Sequence, residues 1–409
     1  MGSEEETNAM TTWQEYFDNV QLEGFEDFAW NISSIPRAAL GASGGGHRAS
    51  LSAFSVLSAF DMRNAQANGG AGTVGAILAN DNTLISDVAT KYININNHLL
   101  NPGDNKTERS ENMANLTRQV LSKDVAGYHV SLVDIWAKDV SFHFLHNIEN
   151  FGDELTLSSI ANGDNAFTNH TMPFPLIVAT VFKNGSATAS VGTKYKNGTS
   201  VVDNVCVSNY DNLGFVTGTS SGYFIDYNGI AVSALTEIPS FLDGLSSTDA
   251  LYMGDSIRLS DGGYAEGGVP AFSLAVPARE VDVIIILDNA GDSAWTVPNG
   301  DSVVRFSNYS TMQGIPFPDT PTKEEYIADP SLAEGIRFFG CHYSEVPTLV
   351  YIANQLVVHN TNQTTIKLAY QNDEIEGFMT NDHAILTQQV GFEDAPVCMA
   401  CLFATEAGF

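Results

Sequence analysis

Pro36-Arg37-Ala38-Ala39-Leu40-Gly41-Ala42-Ser43-Gly44-Gly45-Gly46-His47-Arg48-Ala49 is the stretch on which the reading of this chain turns. Pro36 to Leu40 reads as a short strand, and an apolar helical run extends from about His47 to Arg63. Between them lies a glycine turn, Gly41 to Gly46, whose backbone is free to approach a ligand. The helix that follows presents unpaired N–H groups carrying partial positive charge. Such a turn stabilises an anion: a phosphate, or the charge that develops on a carbonyl oxygen during acyl transfer. Gly44, Gly45 and Gly46 are therefore candidate oxyanion donors, and Arg48, one turn into the helix, adds a fixed positive charge beside them. The competing reading is a tight strand-to-helix turn with no ligand.

Apolar residues of that helix (Leu51, Phe54, Val56, Leu57, Phe60) fall on more than one face, which predicts burial on several sides. Further along, Phe174 to Ala179, Val281 to Leu287 and Thr348 to Val358, the last interrupted at Ala353-Asn354-Gln355, read as buried strands without polar alternation. Helical segments are expected near 47–63, 83–93, 110–123 and 130–147, so the expected class is α/β, a sheet covered on both faces. Residues 184–213, rich in Asn, Gly, Ser and Thr, read as surface loop and hairpin. No repeat or linker divides the chain. One domain is expected, with residues 1–30 as an acidic, aromatic-bearing surface helix and 31–409 as the core.

The composition narrows the partners. Lys and Arg total 18 against 48 Asp and Glu, a formal charge of −30, which repels phosphate backbones and excludes nucleic-acid binding. No run is apolar and long enough to cross a bilayer, and the chain as written opens on Glu4-Glu5-Glu6 with no signal peptide. Eight Asn-x-Ser/Thr sequons, at Asn31, Asn105, Asn115, Asn169, Asn184, Asn197, Asn308 and Asn362, with four cysteines, point instead to an oxidising, secretory history and a truncated start.

Several patterns bear chemistry. Gly41-Ala42-Ser43-Gly44-Gly45 fits the Gly-x-Ser-x-Gly nucleophile elbow and makes Ser43 a candidate nucleophile. Gly218-Thr219-Ser220-Ser221-Gly222 fits it too, but is better read as a Ser/Thr-rich turn. Asp261-Gly262-Gly263 places a carboxylate on a glycine turn, where it can serve a distant serine as general base or be a turn alone. His143 and His146 are i, i+3 on a helix but have no third ligand, and read as surface histidines. Cys398-x-x-Cys401 with Cys341 and His342 offers zinc or a disulfide; no metal and no cofactor is expected. Asn372-Asp373-Glu374-Ile375-Glu376-Gly377 lacks calcium-loop spacing and reads as a solvated turn.

Taken in order, these segments resemble the fungal lysophospholipase or phospholipase B family, whose catalytic domain is similar to that of cytosolic phospholipases. Ala42-Ser43-Gly44-Gly45-Gly46-His47-Arg48-Ala49 resembles the family's Ser-Gly-Gly-Gly-Tyr-Arg-Ala element, with histidine in place of tyrosine. Leu132-Val133-Asp134-Ile135-Trp136, Met172-Pro173-Phe174-Pro175 and the stretch from Cys206 through Phe215 to Ser221 resemble further segments. So do Asp261-Gly262-Gly263 with Arg279 to Ile284 and Pro298-Asn299-Gly300, and Phe338-Phe339-Gly340-Cys341 with Cys398-x-x-Cys401. The resemblance implies a three-layer α/β/α, patatin-like fold and a Ser–Asp dyad that cleaves the acyl ester of a lysophospholipid or phospholipid. It implies Asp261 as base, the amides of Gly44, Gly45 and Gly46 as oxyanion hole, Arg48 on the lipid phosphate, and Ser220 as a structural residue. It also implies secretion or cell-wall association.

One departure stands out. The family's nucleophile segment, Gly-Leu-Ser-Gly-Gly-Ser, has no counterpart: Asn68-Gly69-Gly70-Ala71-Gly72-Thr73-Val74-Gly75 leads directly into Asn80-Asp81-Asn82-Thr83. The acidic region that the resemblance implies between Phe182 and Cys206 is likewise absent or shortened. Either coding sequence has been omitted or a diverged relative has lost its nucleophile. Ser43 can substitute only by leaving the oxyanion loop to meet Asp261. The alternative is a catalytically silent lipid-binding or cell-surface glycoprotein.

Overall fold

The computed structural model describes residues 10–11, 13–14, 35–59, 71–125, 130, 132–183, 186–192, 200–202, 205–207, 212–222, 236–239, 256–262, 269, 271–289, 298–341, 345–387 and 395–406. Most of the segment 1–30 expected as a surface helix lies outside them, as do Gly263, His342 and the sequons at Asn31, Asn184 and Asn197.

The strand and helix around the glycine turn form as read, shifted by a few residues: β1 is Ala38–Ala42 and α1 is Gly46–Ala59. After α1 come α2 (Ala71–Ala79), α3 (Lys106–Val125) and α4 (Leu132–Phe144). The expected helix at 83–93 is a short helical turn, Ile85–Asp87, running into a π-turn, Val88–Tyr92. Next in the chain are β2 (Val178–Lys183), β3 (Ser186–Gly192), the β4–β5 hairpin (Ser200–Val202, Val205–Val207) and α5 (Leu213–Ser220). They are followed by β6 (Thr236–Pro239), β7 (Ser256–Asp261), β8 (Val283–Asp288), α6 (Asp301–Gln313), β9 (Ile336–Phe339) and β10 (Thr348–Ala353). Two helices complete the described chain, α7 (Asn372–Thr387) and α8 (Ala395–Glu406).

One sheet has the order β1-β8-β10-β9, with β8 parallel to both β1 and β10 and β9 antiparallel at the edge. The apolar runs explain why β8 and β10 are central: each is buried along its whole length. Side chains alternate between two cores. Val283, Ile285, Leu287, Val350 and Ile352 face Val56 of α1, Ile385 of α7 and Met399 and Phe403 of α8. Ile284, Ile286, Leu349 and Tyr351 face Val303 and Phe306 of α6 and the short helix Ala271–Ala275. Helices on both faces of the sheet make three layers. Each such side chain contributes roughly 1.5–3 kcal/mol of burial. A third cluster joins Leu51 and Phe54 of α1 to Ala76 of α2, Val140 and Phe144 of α4, and Phe378 and Met379 of α7.

A second, antiparallel sheet has the order β3-β2-β7-β6. α5 lies over it and packs on α4, and the crossing is close enough that a β-carbon on Gly218 would stand 2.4 Å from that of Ala137. Glycine is the residue that lets the two helices approach so nearly. At the far end of α5, the Ser220 hydroxyl donates to the Val178 carbonyl at 2.6 Å, and Gly262 N–H donates to the Ser220 carbonyl at 3.1 Å.

Two expectations are corrected. Asn372 to Gly377 opens α7 and is no turn, because Ile375, Phe378 and Met379 recur at helical spacing and enter the core. His143 is no surface residue: it is fully buried on α4, with Nδ1 facing the Asn94 carbonyl and Nε2 3.1 Å from that of Leu99.

Candidate active site

β1, β8 and β10 are parallel, so their C-terminal ends lie along one edge, the place where open α/β sheets hold their ligands. The glycine turn leaves β1 there. Ser43 N–H donates to the Leu287 carbonyl at 2.9 Å, carrying the β1–β8 pairing one residue beyond the strand. The Ser43 side chain is 1% exposed, and its hydroxyl oxygen accepts the N–H of Asn289 at 2.6 Å. Ser43 therefore sits inward, fixing the turn to the end of β8.

Beyond it the chain opens outward. Gly44 and Gly46 are exposed, and among the described residues no acceptor takes the N–H of Gly44, Gly45 or Gly46. Gly46 has φ +68°, and a β-carbon there would stand 2.8 Å from the Thr365 carbonyl oxygen. Both the torsion and the contact demand glycine. The turn thus presents backbone donors to solvent at the N-terminus of a 14-residue helix, the arrangement that stabilises an oxyanion.

Arg48 is placed differently from the phosphate contact that the resemblance implies. Its side chain is 1% exposed, and its guanidinium donates to backbone carbonyls, of Gln363 at 2.5 Å and Asn289 at 2.6 Å, and to the Thr365 hydroxyl at 3.3 Å. Arg48 ties the glycine turn to the loop after β10 and to the end of β8. Its neighbour His47 points into the third core, against His143, Phe144 and Tyr370. Burial lowers the His47 pKa to about 3, aided by the nearby His143 and His98. His143 falls to about 4, again chiefly through burial, which outweighs its two carbonyl contacts.

The sequence reading missed the polar end of β8. Asp288 is buried and accepts from the Tyr351 hydroxyl at 2.9 Å and from that of Ser302. The Asp288 carbonyl accepts Asn354 N–H at 2.9 Å. Asp288 and Asn289 thus join β1, β10 and α6 at one point. A polar pair ending an apolar parallel strand was the available signal.

Asp261 lies on the other sheet, as the last residue of β7, paired with Ala179 of β2 and half-buried. The turn behind it is held by the Gly262–Ser220 bond and by the Thr180 hydroxyl, which donates to the Gly262 carbonyl at 3.2 Å. The structure therefore gathers Ser43, Gly44, Gly45, Gly46 and Arg48 in one turn, and Asp261 in a separate turn braced by Ser220. Among the described residues no group of His, Cys, Asp and Glu is arranged to hold a metal ion, and no helix is long and apolar enough to cross a membrane.

Known proteins share this fold. The human GIVD cytosolic phospholipase A2 superposes with a TM-score of 0.69 over 100% of this chain and 67% of its own, at 13% sequence identity, which shows the three-layer fold. A lysophospholipase of Torulaspora delbrueckii is 30% identical over 465 residues, covering 91% of this chain and 71% of its own length. Lysophospholipase 3 of Saccharomyces cerevisiae is 27% identical, covering 91% of this chain and 67% of its own. The family model of the lysophospholipase catalytic domain matches residues 38–191, 186–243 and 226–405, from β1 through α8, so this chain belongs to the lysophospholipase catalytic-domain family, a family of lipid hydrolases.

Proposed function

We propose that the glycine turn is the oxyanion hole of a lysophospholipase site, in which the amides of Gly44, Gly45 and Gly46 take the negative charge of an acyl ester under attack. The observation carrying this reading is the set of backbone N–H groups that have no acceptor among the described residues, on a turn whose Gly44 and Gly46 are exposed at the start of α1. In the reaction a serine oxygen bonds to the ester carbonyl carbon, Asp261 takes the serine proton, and the proton passes to the leaving alcohol. Water then releases the fatty acid. An aspartate is a weak base near neutral pH, so positioning and oxyanion stabilisation have to supply most of the acceleration. Arg48 acts through the turn, holding the amides on target.

The chain as written lacks the serine on which this dyad depends. The alignment with the Torulaspora relative runs over 465 residues while engaging 91% of a 409-residue chain, so the relative carries stretches with no counterpart here. Ser43 is buried and hydrogen-bonded in the turn, which opposes its use as a substitute. The test is fatty-acid release from lysophosphatidylcholine by the wild type and by Asp261→Ala. Release that disappears in the variant supports the dyad; equal release in both removes Asp261 as base.

The missing segment favours a second reading, a catalytically silent lipid binder that keeps the anion-binding turn. It predicts lysophospholipid binding without turnover. We infer further that the protein is a secreted or cell-surface glycoprotein. Among the sequons, Asn105, Asn169 and Asn308 are exposed, which supports this. Mass mapping of glycans and thiols on the protein from its native source decides it.

A further inference from the structure

We propose that the loop joining β10 to α7 docks on an electrically neutral lipid surface, one of zwitterionic phospholipid. The inference rests on the lysophospholipase reading of the adjoining turn. The loop is built in alternation. Outward positions carry Leu356, Val358 and Ile366, which are 63%, 55% and 80% exposed. Inward positions fasten it: Asn381 Oδ1, buried on α7, accepts the N–H groups of Val357, Val358 and His359 at 2.8, 3.0 and 3.1 Å. Its amide donates in turn to the Gln355 carbonyl at 2.8 Å. Exposed apolar side chains are thereby held on a fixed frame, where a solvent-facing loop ordinarily carries polar ones.

Position and charge name the occupant. Thr365, next to Ile366, contacts Gly46, and Arg48 reaches the Gln363 carbonyl, so the apolar residues border the turn on which an ester would be held. From Asn354 to Ile366 the chain carries no Asp, Glu, Lys or Arg, although the whole protein bears a charge of −30. Lys367, which follows, is paired with Glu374. An anionic membrane would repel such a molecule, whereas a zwitterionic one accepts an uncharged apolar patch without that cost. The outward Asn360, Asn362 and Thr364 between the apolar ends suit the hydrogen-bonding headgroup layer.

The experiment is flotation of the full chain with phosphatidylcholine vesicles, comparing wild type with the triple variant Leu356→Ser, Val358→Ser, Ile366→Ser. The expected result is wild-type partition that falls at least about tenfold in the triple variant and weakens when phosphatidylserine is added. Should the triple variant lose its native circular dichroism, Ile366→Ser alone must show a fall. Absence of wild-type partition, equal partition of variant and wild type, or stronger binding to phosphatidylserine overturns the proposal. So does a dimer in sedimentation velocity that the triple variant dissolves, which gives the surface to a second copy, or a glycan on Asn362. Vesicle binding without fatty-acid release removes the enzymatic reading and keeps the docking surface; release from monomeric lysophospholipid with unaltered flotation of the variant does the reverse.

Discussion

His47 shows how one residue of the glycine turn couples the site to the fold. Its pKa is held at about 3 in the native protein, against 6.5 in an unfolded chain. A depressed native value means that the unfolded chain takes up the proton first, so stability is complete above pH 6.5 and drains as pH falls toward 3. At pH 5 the loss from His47 alone is about 2 kcal/mol. His47→Phe keeps the ring among Phe144 and Tyr370 and removes the proton. Urea midpoints measured from pH 7 to pH 4.5 are expected to fall less steeply in this variant than in the wild type. The strand, glycine turn and helix around Ser43, Gly44, Gly45, Gly46 and Arg48 were legible because an apolar strand and an apolar helical run flank three successive glycines. The inward orientation of Ser43 and Arg48 was not legible, since the groups they meet, the Asn289 N–H for Ser43 and the Asn289 and Gln363 carbonyls for Arg48, come from far along the chain.

Between elements, the joint of α1 and α7 carries a buried acid. Asp382 accepts from the Asn381 amide at 3.1 Å and is buried beside Ser52 of α1. Burial raises its pKa from 3.8 to about 6, against smaller opposing contributions from Ser52 and Asn381. Here the sign is reversed: the native state holds the proton more tightly, so the benefit is present below 3.8 and is lost as pH rises through 6. Asp382→Asn is expected to stabilise the protein by about 1–3 kcal/mol at pH 7.5 and to change little at pH 4, as read by denaturant unfolding at both values. At this scale the apolar runs of β8 and β10 were legible, and β10 ends where Asn354 interrupts its run, whereas the run Phe174 to Ala179 is strand only at Val178 and Ala179, where β2 begins, and Phe174 is exposed. β7 escaped because its Ser-Ile-Arg-Leu-Ser-Asp pattern alternates and is short, and α7 because its first turn is acidic and looks solvated until Phe378 and Met379 are counted with Ile375.

For the whole molecule the dominant quantity is charge. With 48 acidic and 18 basic residues, repulsion across the surface opposes the compact state. Screening relieves it, so raising sodium chloride from about 0.02 to about 0.3 M is expected to raise the midpoint of thermal unfolding by a few degrees, followed by calorimetry at pH 7.5. A midpoint that falls with salt would mean that the ion pairs Lys123–Asp134 and Lys138–Asp153 outweigh the net repulsion.

Gly218 has a reach out of proportion to its size. It sets the spacing of α5 on α4; Ser220, half a turn on, grips Val178 and Gly262; and Asp261 stands next to Gly262. Methylation of that single α-carbon, as in Gly218→Ala, is expected to shift the aspartate while leaving its codon intact, and to lower thermal stability by about 1–3 kcal/mol through overpacking. A mutational screen of an active relative for loss of ester cleavage should therefore recover lesions at this helix crossing alongside those in the aspartate itself, with the former rescued by cold growth and the latter not.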